Sequence, residues 1–130
     1  MTGTTWDPAN KSSLITLGRS NIAAATNAAA ATWKGVRATT SLSSGKKYYE
    51  LYVTGYGNDN GWLMGMGNSS FSTASFAGGT INSFGYQSTG NVYNVTGGSL
   101  WQGCADGYVV GVAVDLGNKL FWAKTDRDTN

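Results

Sequence analysis

The sequence predicts an all-β fold, an antiparallel β-sandwich, and three observations carry that expectation. Gly107 to Lys124, GYVVGVAVDLGNKLFWAK, reads as a β-hairpin. Tyr48 to Thr54, YYELYVT, alternates with the period of two that a strand imposes. The composition is that of a turn-rich β protein: Gly 19 and Pro 1, with charged residues at 12% and Ser, Thr and Asn filling the loops.

The hairpin is the clearest element. Val109, Val110, Val112 and Val114 are β-branched and stiffen an extended backbone. Asp115-Leu116-Gly117-Asn118 supplies turn chemistry, with Gly117 and Asn118 expected to take the positive φ of a tight turn. The second arm places Leu120 and Trp122 on one face and Phe121 and Ala123 on the other. With apolar residues on both faces, the hairpin is expected in the middle of a sheet, beneath a second layer.

The other elements follow in chain order. Trp6-Asp7-Pro8 is a turn-like opening, Leu14, Ile15 and Leu17 form a short strand, and Gly18 to Asn21 is a turn. Ile22 to Ala31 is rich in alanine, the best helix former. It is short, however, lacks an amphipathic stripe and contains Asn27, so two small-residue strands joined at Asn27 are expected. Thr32 to Thr40 is a strand and Ser41 to Lys47 a loop. The strand Tyr48 to Thr54 sets Tyr49, Leu51 and Val53 against Tyr48, Glu50 and Tyr52. Gly55 to Gly61 is a polar hairpin loop ending in the turn signal Asn60-Gly61. Trp62 to Gly67 is a strand, Asn68 to Thr80 a loop, and Ile81 to Tyr86 a strand. Asn91 to Asn94 leads into the long loop Val95 to Asp106.

Length and charge bound the function. A chain of 130 residues is one domain. It buries roughly two-thirds of its unfolded surface, enough for one core. The formal net charge is +2, and the basic residues are scattered, with only Lys46 and Lys47 adjacent. That is too thin for a nucleic-acid footprint. No apolar run is long enough for a membrane span, and Met1 to Asn10 lacks the pattern of a signal peptide. Cys104 is alone, so no internal disulfide is expected.

Several segments together resemble the SPRY domain family. Asp106 to Asn118, DGYVVGVAVDLGN, followed by Leu120-Phe121-Trp122, is similar to the family's late hairpin. Ser44 to Val53, SGKKYYELYV, resembles its "SGK-xYWEV" strand, including Glu50. Trp62 to Gly67, Ser83-Phe84-Gly85-Tyr86 and Asn91 to Asn94 match later blocks in order, and the opening TTWDPANKSS has the flavour of bacterial and phage SPRY-like proteins. The resemblance spans Trp33 to Lys124. It implies a concanavalin-like jelly-roll sandwich whose loops at one end, 54–61 and 94–106, hold a ligand. Family members carry further strands after this hairpin. The resemblance therefore implies an open edge on the C-terminal side, filled by strand exchange or by a partner.

The chemistry-bearing residues point to binding rather than catalysis. There is no histidine, which removes Ser-His-Asp and Cys-His systems and histidine metal sites. Glu50 and Asp115 are the pair that strand pairing could bring together as glycosidase carboxylates, yet both sit at framework positions. Asp126-Arg127-Asp128-Thr129-Asn130 opens like a calcium loop but lacks the glycine and glutamate that complete one. Asn58-Asp59-Asn60-Gly61 is explained as a hairpin turn. The sequons at Asn10, Asn68 and Asn94 are expected by chance in a chain so rich in Ser and Thr. What remains is recognition by loop aromatics with polar neighbours: Tyr56, Asn58, Asp59, Tyr93, Asn94 and Trp101 are the candidate ligand-binding residues. The alternative for Tyr93 and Trp101 is that they fold back to plug the ends of the sandwich.

The expected function is a non-catalytic module, without cofactor or metal, that binds a protein partner or a surface ligand, glycan included. The phage-like flavour implies a virion accessory role as a fibre, decoration or host-contact protein. A structural virion subunit joined through its sheet edge is the alternative. A carbohydrate-binding module or a carbohydrate-active enzyme fragment stands behind both.

Overall fold

The computed structural model describes residues 3–26, 32–55, 61–94 and 103–127. Among these residues there are ten strands and no helix: β1 (Trp6–Lys11), β2 (Ile15–Gly18), β3 (Ala23–Thr26), β4 (Val36–Ala38), β5 (Lys46–Tyr52), β6 (Leu63–Gly67), β7 (Ser83–Gln87), β8 (Val92–Tyr93), β9 (Val109–Asp115) and β10 (Leu120–Thr125). Every pairing is antiparallel. Two three-stranded sheets, ordered β10-β9-β5 and β6-β7-β8, are accompanied by the pairs β1-β4 and β2-β3. No helix of the described residues is long and apolar enough to cross a membrane.

The two three-stranded sheets share one core. Val110, Val112 and Val114 point inward from β9 and are completely or almost completely buried. They form one cluster with Val53, Met64, Tyr86 and Cys104, against which Tyr49, Leu51, Phe84 and Phe121 pack. Phe84 of β7 meets Phe121 of β10 edge to face at 4.8 Å, and the Tyr49 hydroxyl of β5 donates to the Gly65 carbonyl of β6 at 3.4 Å. Burial pushes the Tyr49 phenol up to about 12.

Small residues set the approach of the second sheet. Gly65 and Gly85 face each other across β6 and β7. A Cβ on Gly65 would lie 1.9 Å from the Phe84 carbonyl oxygen, and one on Gly85 would lie 2.5 Å from that of Ala77. The loop carrying Phe71, Phe76 and Ala77 thus lies directly on the outer surface of this sheet. Phe76 packs at a tilt against Trp33 at 4.6 Å and meets Tyr93 edge to face at 5.5 Å.

The N-terminal third differs from the sequence reading in detail. Trp6-Asp7-Pro8 lies within β1 rather than in a turn. The turn chemistry survives inside the strand: Asp7 accepts hydrogen bonds from the Ala9 amide at 2.8 Å and the Asn10 side chain at 2.6 Å, where the β1-β4 register shifts. Of Thr32 to Thr40, only Val36–Ala38 is strand, because Gly35 turns its amide to the Thr73 carbonyl at 2.7 Å. Ala23–Thr26 is extended, paired with Ile15–Gly18. Tertiary pairing here overrides alanine's helix propensity. The second expected small-residue strand, 28–31, lies outside the described residues. The turn between β2 and β3 holds Arg19, Ser20 and Asn21 in the left-handed region, at φ of 52°, 56° and 65°.

The late hairpin also needs two corrections. Its turn uses Lys119 at φ 55°, and neither Gly117 nor Asn118 takes a positive φ. Asn118 instead donates its amide and side-chain nitrogen to the Asp115 carboxylate, at 3.1 and 2.9 Å, and this side-chain cap, three residues along, closes the chain reversal. Second, only β9 is central. β10 is an edge strand among the described residues, and Leu120 and Trp122 are 47% and 49% exposed, not beneath a second layer. The inward residues of both arms reach the core as expected.

Replacing Val112 by Ala should cost about 2–3 kcal/mol, measured as a lower urea midpoint at unchanged slope. Asp115 is buried, and hydrogen bonds from Asn118 hold its carboxyl below the usual carboxylate range, with Lys46 Nζ at 3.5 Å adding to the effect. The folded value lies below the unfolded one of about 3.9. The stabilisation is therefore complete above that pH and is lost as pH falls through the folded value. Unfolding titrations of the parent and of Asp115→Asn should show a stability gap that is constant near neutrality and closes on acidification.

Candidate functional site

The residues singled out in the loops divide into two groups. Tyr56, Asn58, Asp59 and Trp101 lie outside the described residues, as do Asp128 and Asn130 of the calcium-like tail. Tyr93 and Asn94 are placed, and both are tied into the framework. The Tyr93 hydroxyl donates to Gln87 Oε1 at 2.8 Å. Its Cβ sits so close to Gly78 that a side chain there would overlap it. Asn94, at φ 55°, donates its side-chain nitrogen to the carbonyls of Thr80 and Ser83, the latter at 3.0 Å. These bonds pin the end of β8 to the loop that covers the second sheet.

The carboxylates do not make a catalytic pair. Glu50 is opposite Gly111, and Asp115 is opposite Lys46. Four residues of ladder separate the two acids, about 13 Å. Each is occupied: Asp115 in its turn, Glu50 with Tyr48. Among the described residues there is also no group of three His, Cys, Asp or Glu side chains able to hold a metal ion.

A different surface stands out, the outer face of β10-β9-β5. The second sheet is roofed by its loop, whereas this face carries Tyr48 and Tyr52, 63% and 65% exposed, together with Trp122. The register lays the face out in rows. Trp122, Ala113 and Tyr48 form one row, and Lys124, Gly111 and Glu50 the next. The central strand contributes only small residues to these rows. The flanking strands contribute the large and charged ones, with backbones roughly 9–10 Å apart. The result is an open trough of ≈ 490 Å³ lined by Tyr48, Glu50, Gly111, Ala113, Trp122, Lys124 and Asp126, among others.

Tyr48 is held in a fixed pose on this floor. Its hydroxyl donates to Glu50 Oε1 at 2.7 Å, which raises the phenol above its ordinary value. A Cβ built on Gly111 would lie 2.4 Å from that hydroxyl oxygen, so the ring tip rests on the glycine. Any larger residue at 111 would lift it. Beyond Glu50 a second, smaller hollow of ≈ 250 Å³ is lined by Trp6, Arg19, Ile22, Leu51 and Tyr52. Glu50 borders both hollows.

The alternation of YYELYVT places Tyr48, Glu50 and Tyr52 on one face, but does not reveal this site. The signal was the alternation of β9 itself: valine at 110, 112 and 114, glycine and alanine at 111 and 113. An outer row of small residues between aromatic neighbours marks a depression, once the pairing partners are known.

Gly111→Ala should leave the fold intact while displacing the Tyr48 ring from Glu50, and Glu50→Gln should replace the carboxylate that accepts its hydrogen bond by a weaker, neutral acceptor. In a tyrosine-Cζ NMR titration both variants should return the Tyr48 phenol downward toward its ordinary value. No protein-family model matches the sequence, and no curated protein matches it.

Proposed function

We propose that the chain is a non-catalytic binding module, a SPRY-like β-sandwich of the concanavalin-like jelly-roll type, that recognises a protein or surface ligand. Its setting on this reading is a phage virion, as a fibre, decoration or host-contact protein. The sandwich assignment draws support from the two three-stranded antiparallel sheets that share one core, and from the order of the SPRY-like blocks along the strands. The observation that carries the binding reading is the exposed aromatic face, where Tyr48 and Trp122 line a trough and Tyr52 borders the neighbouring hollow. Exposed aromatics brought together on one rigid sheet are a recognition feature. The separation and occupation of Glu50 and Asp115 support the non-catalytic part. The contact surface has two parts on this reading, the connecting segments 54–61 and 94–106 and the face of β10-β9-β5.

A second reading has its own observation. β10 pairs only with β9 among the described residues, and an edge strand is a template for another chain. A structural subunit joined through this edge would be an oligomer whose face and loops contact no ligand.

Co-sedimentation with a panel of intact Gram-negative and Gram-positive cells separates the two. A binding module should pellet with at least one cell type. That binding should fall by roughly tenfold or more in Tyr56→Ala with Trp101→Ala, or in Tyr48→Ala with Trp122→Ala, at unchanged melting temperature. A chain that stays in the supernatant throughout, and is a fixed oligomer by light scattering, overturns the binding reading in favour of the structural one.

A further inference from the structure

We infer that the trough on the outer face of β10-β9-β5 is a glycan subsite that takes a neutral oligosaccharide chain running along β9. The inference rests on the binding-module reading and adds to it a location and a ligand class. The floor is Gly111 and Ala113, with the Tyr48 ring laid over Gly111. Trp122 stands across the row from Tyr48, and Lys124 across the next row from Glu50. The Tyr48 ring on this floor, with Trp122 beside it, supplies the aromatic surface on which the C–H-rich face of a pyranose packs. Glu50 and Asp126 each spend one carboxylate oxygen within the protein, on the Tyr48 hydroxyl and the Val109 amide, and each keeps the other oxygen as an acceptor, while Lys124 donates, which matches hydroxyl groups that do both. Tyr48 is already positioned by Glu50 and Gly111, so little side-chain freedom is lost on binding.

Three alternatives fit less well. A polypeptide gains affinity from a sheet by adding to an edge, where backbone groups are free. Here the trough runs over β9, whose ladder is paired on both sides by β5 and β10. A peptide lying in it would desolvate its own amides without replacement. A nucleic-acid strand needs a basic groove, whereas this one sets Glu50 and Asp126 against Lys124 alone, because Lys46 is paired with Asp115. An acidic polysaccharide meets the same two carboxylates. The near-balance of charge favours an uncharged chain.

The test uses the full chain with cellohexaose, maltohexaose, mannohexaose and N-acetylchitohexaose in calorimetric titrations. In parallel, cells that bind the chain are treated with periodate, which cleaves vicinal diols, or with protease. Binding of a hexasaccharide, or cell binding abolished by periodate, should weaken roughly tenfold in Trp122→Ala and in Tyr48→Ala. It should survive Ile81→Ala, a fully exposed position away from the trough. Gly111→Ala, which disturbs Tyr48 from beneath without deleting the ring, should weaken it too, and all variants should keep the parent melting temperature. The inference is overturned when cell binding is unaffected by the Trp122 and Tyr48 variants. It is overturned equally when binding is lost to protease but not to periodate, which assigns a polypeptide ligand. In both cases the chain still binds cells, so the module reading stands. A chain that binds neither cells nor hexasaccharides fails both.

Discussion

The alternation of one strand governs this molecule. β9 is paired on both sides, so its residues have only two directions to point. Val110, Val112 and Val114 point into the core and are sealed there by Tyr86 and Met64. Gly111 and Ala113 point out and make the floor of the trough. Core and candidate site are two sides of the same seven residues, Val109–Asp115. A slip of one residue in pairing would put valines into water and small residues into the core. The Asp115 pair with Lys46 and its hydrogen bonds from Asn118 lie at the end of this ladder.

The two three-stranded sheets are treated differently on their outer sides. Over β7, Gly85 lets the backbone of Ala77 come down into contact, and Phe76 fills the space between Trp33 and Tyr93. Tyr93 and Asn94 serve this roof. Over β9 the glycine receives only a tyrosine tip. The same residue type therefore supports a closed layer on one sheet and a shallow, solvent-facing platform on the other. The neighbour that each glycine admits decides which.

Much of this was legible in the sequence, where local chemistry and tertiary pairing agree. The hairpin at Gly107 to Lys124 and the YYELYVT strand carry β-branched or alternating residues, and both exist as strands, although the hairpin turn and its outer arm differ from the reading and β5 is shifted to Lys46–Tyr52, taking in Lys46 and Lys47 from the expected loop. Ala23–Thr26 was readable only by discounting alanine's helix preference, and the strand it pairs with supplies the reason. What escaped was relational. Trp6-Asp7-Pro8 looks like a turn because Asp7 does form one, but inside a strand. Leu120 and Trp122 looked buried because apolar residues occupy both faces of their arm. Nothing local says that β10 lies at an edge. The trough needs residues from β5, β9 and β10 in register, and register is not written in any one of them.

Cys104 lies in the core cluster at 6% exposure, and it is the chain's single cysteine. Its amide donates to the Ser88 carbonyl at 2.8 Å. A sulfhydryl so shielded reacts with an alkylating reagent only when its surroundings breathe. The rate of that modification is thus an intrinsic clock for opening of the interior, readable without adding a foreign label.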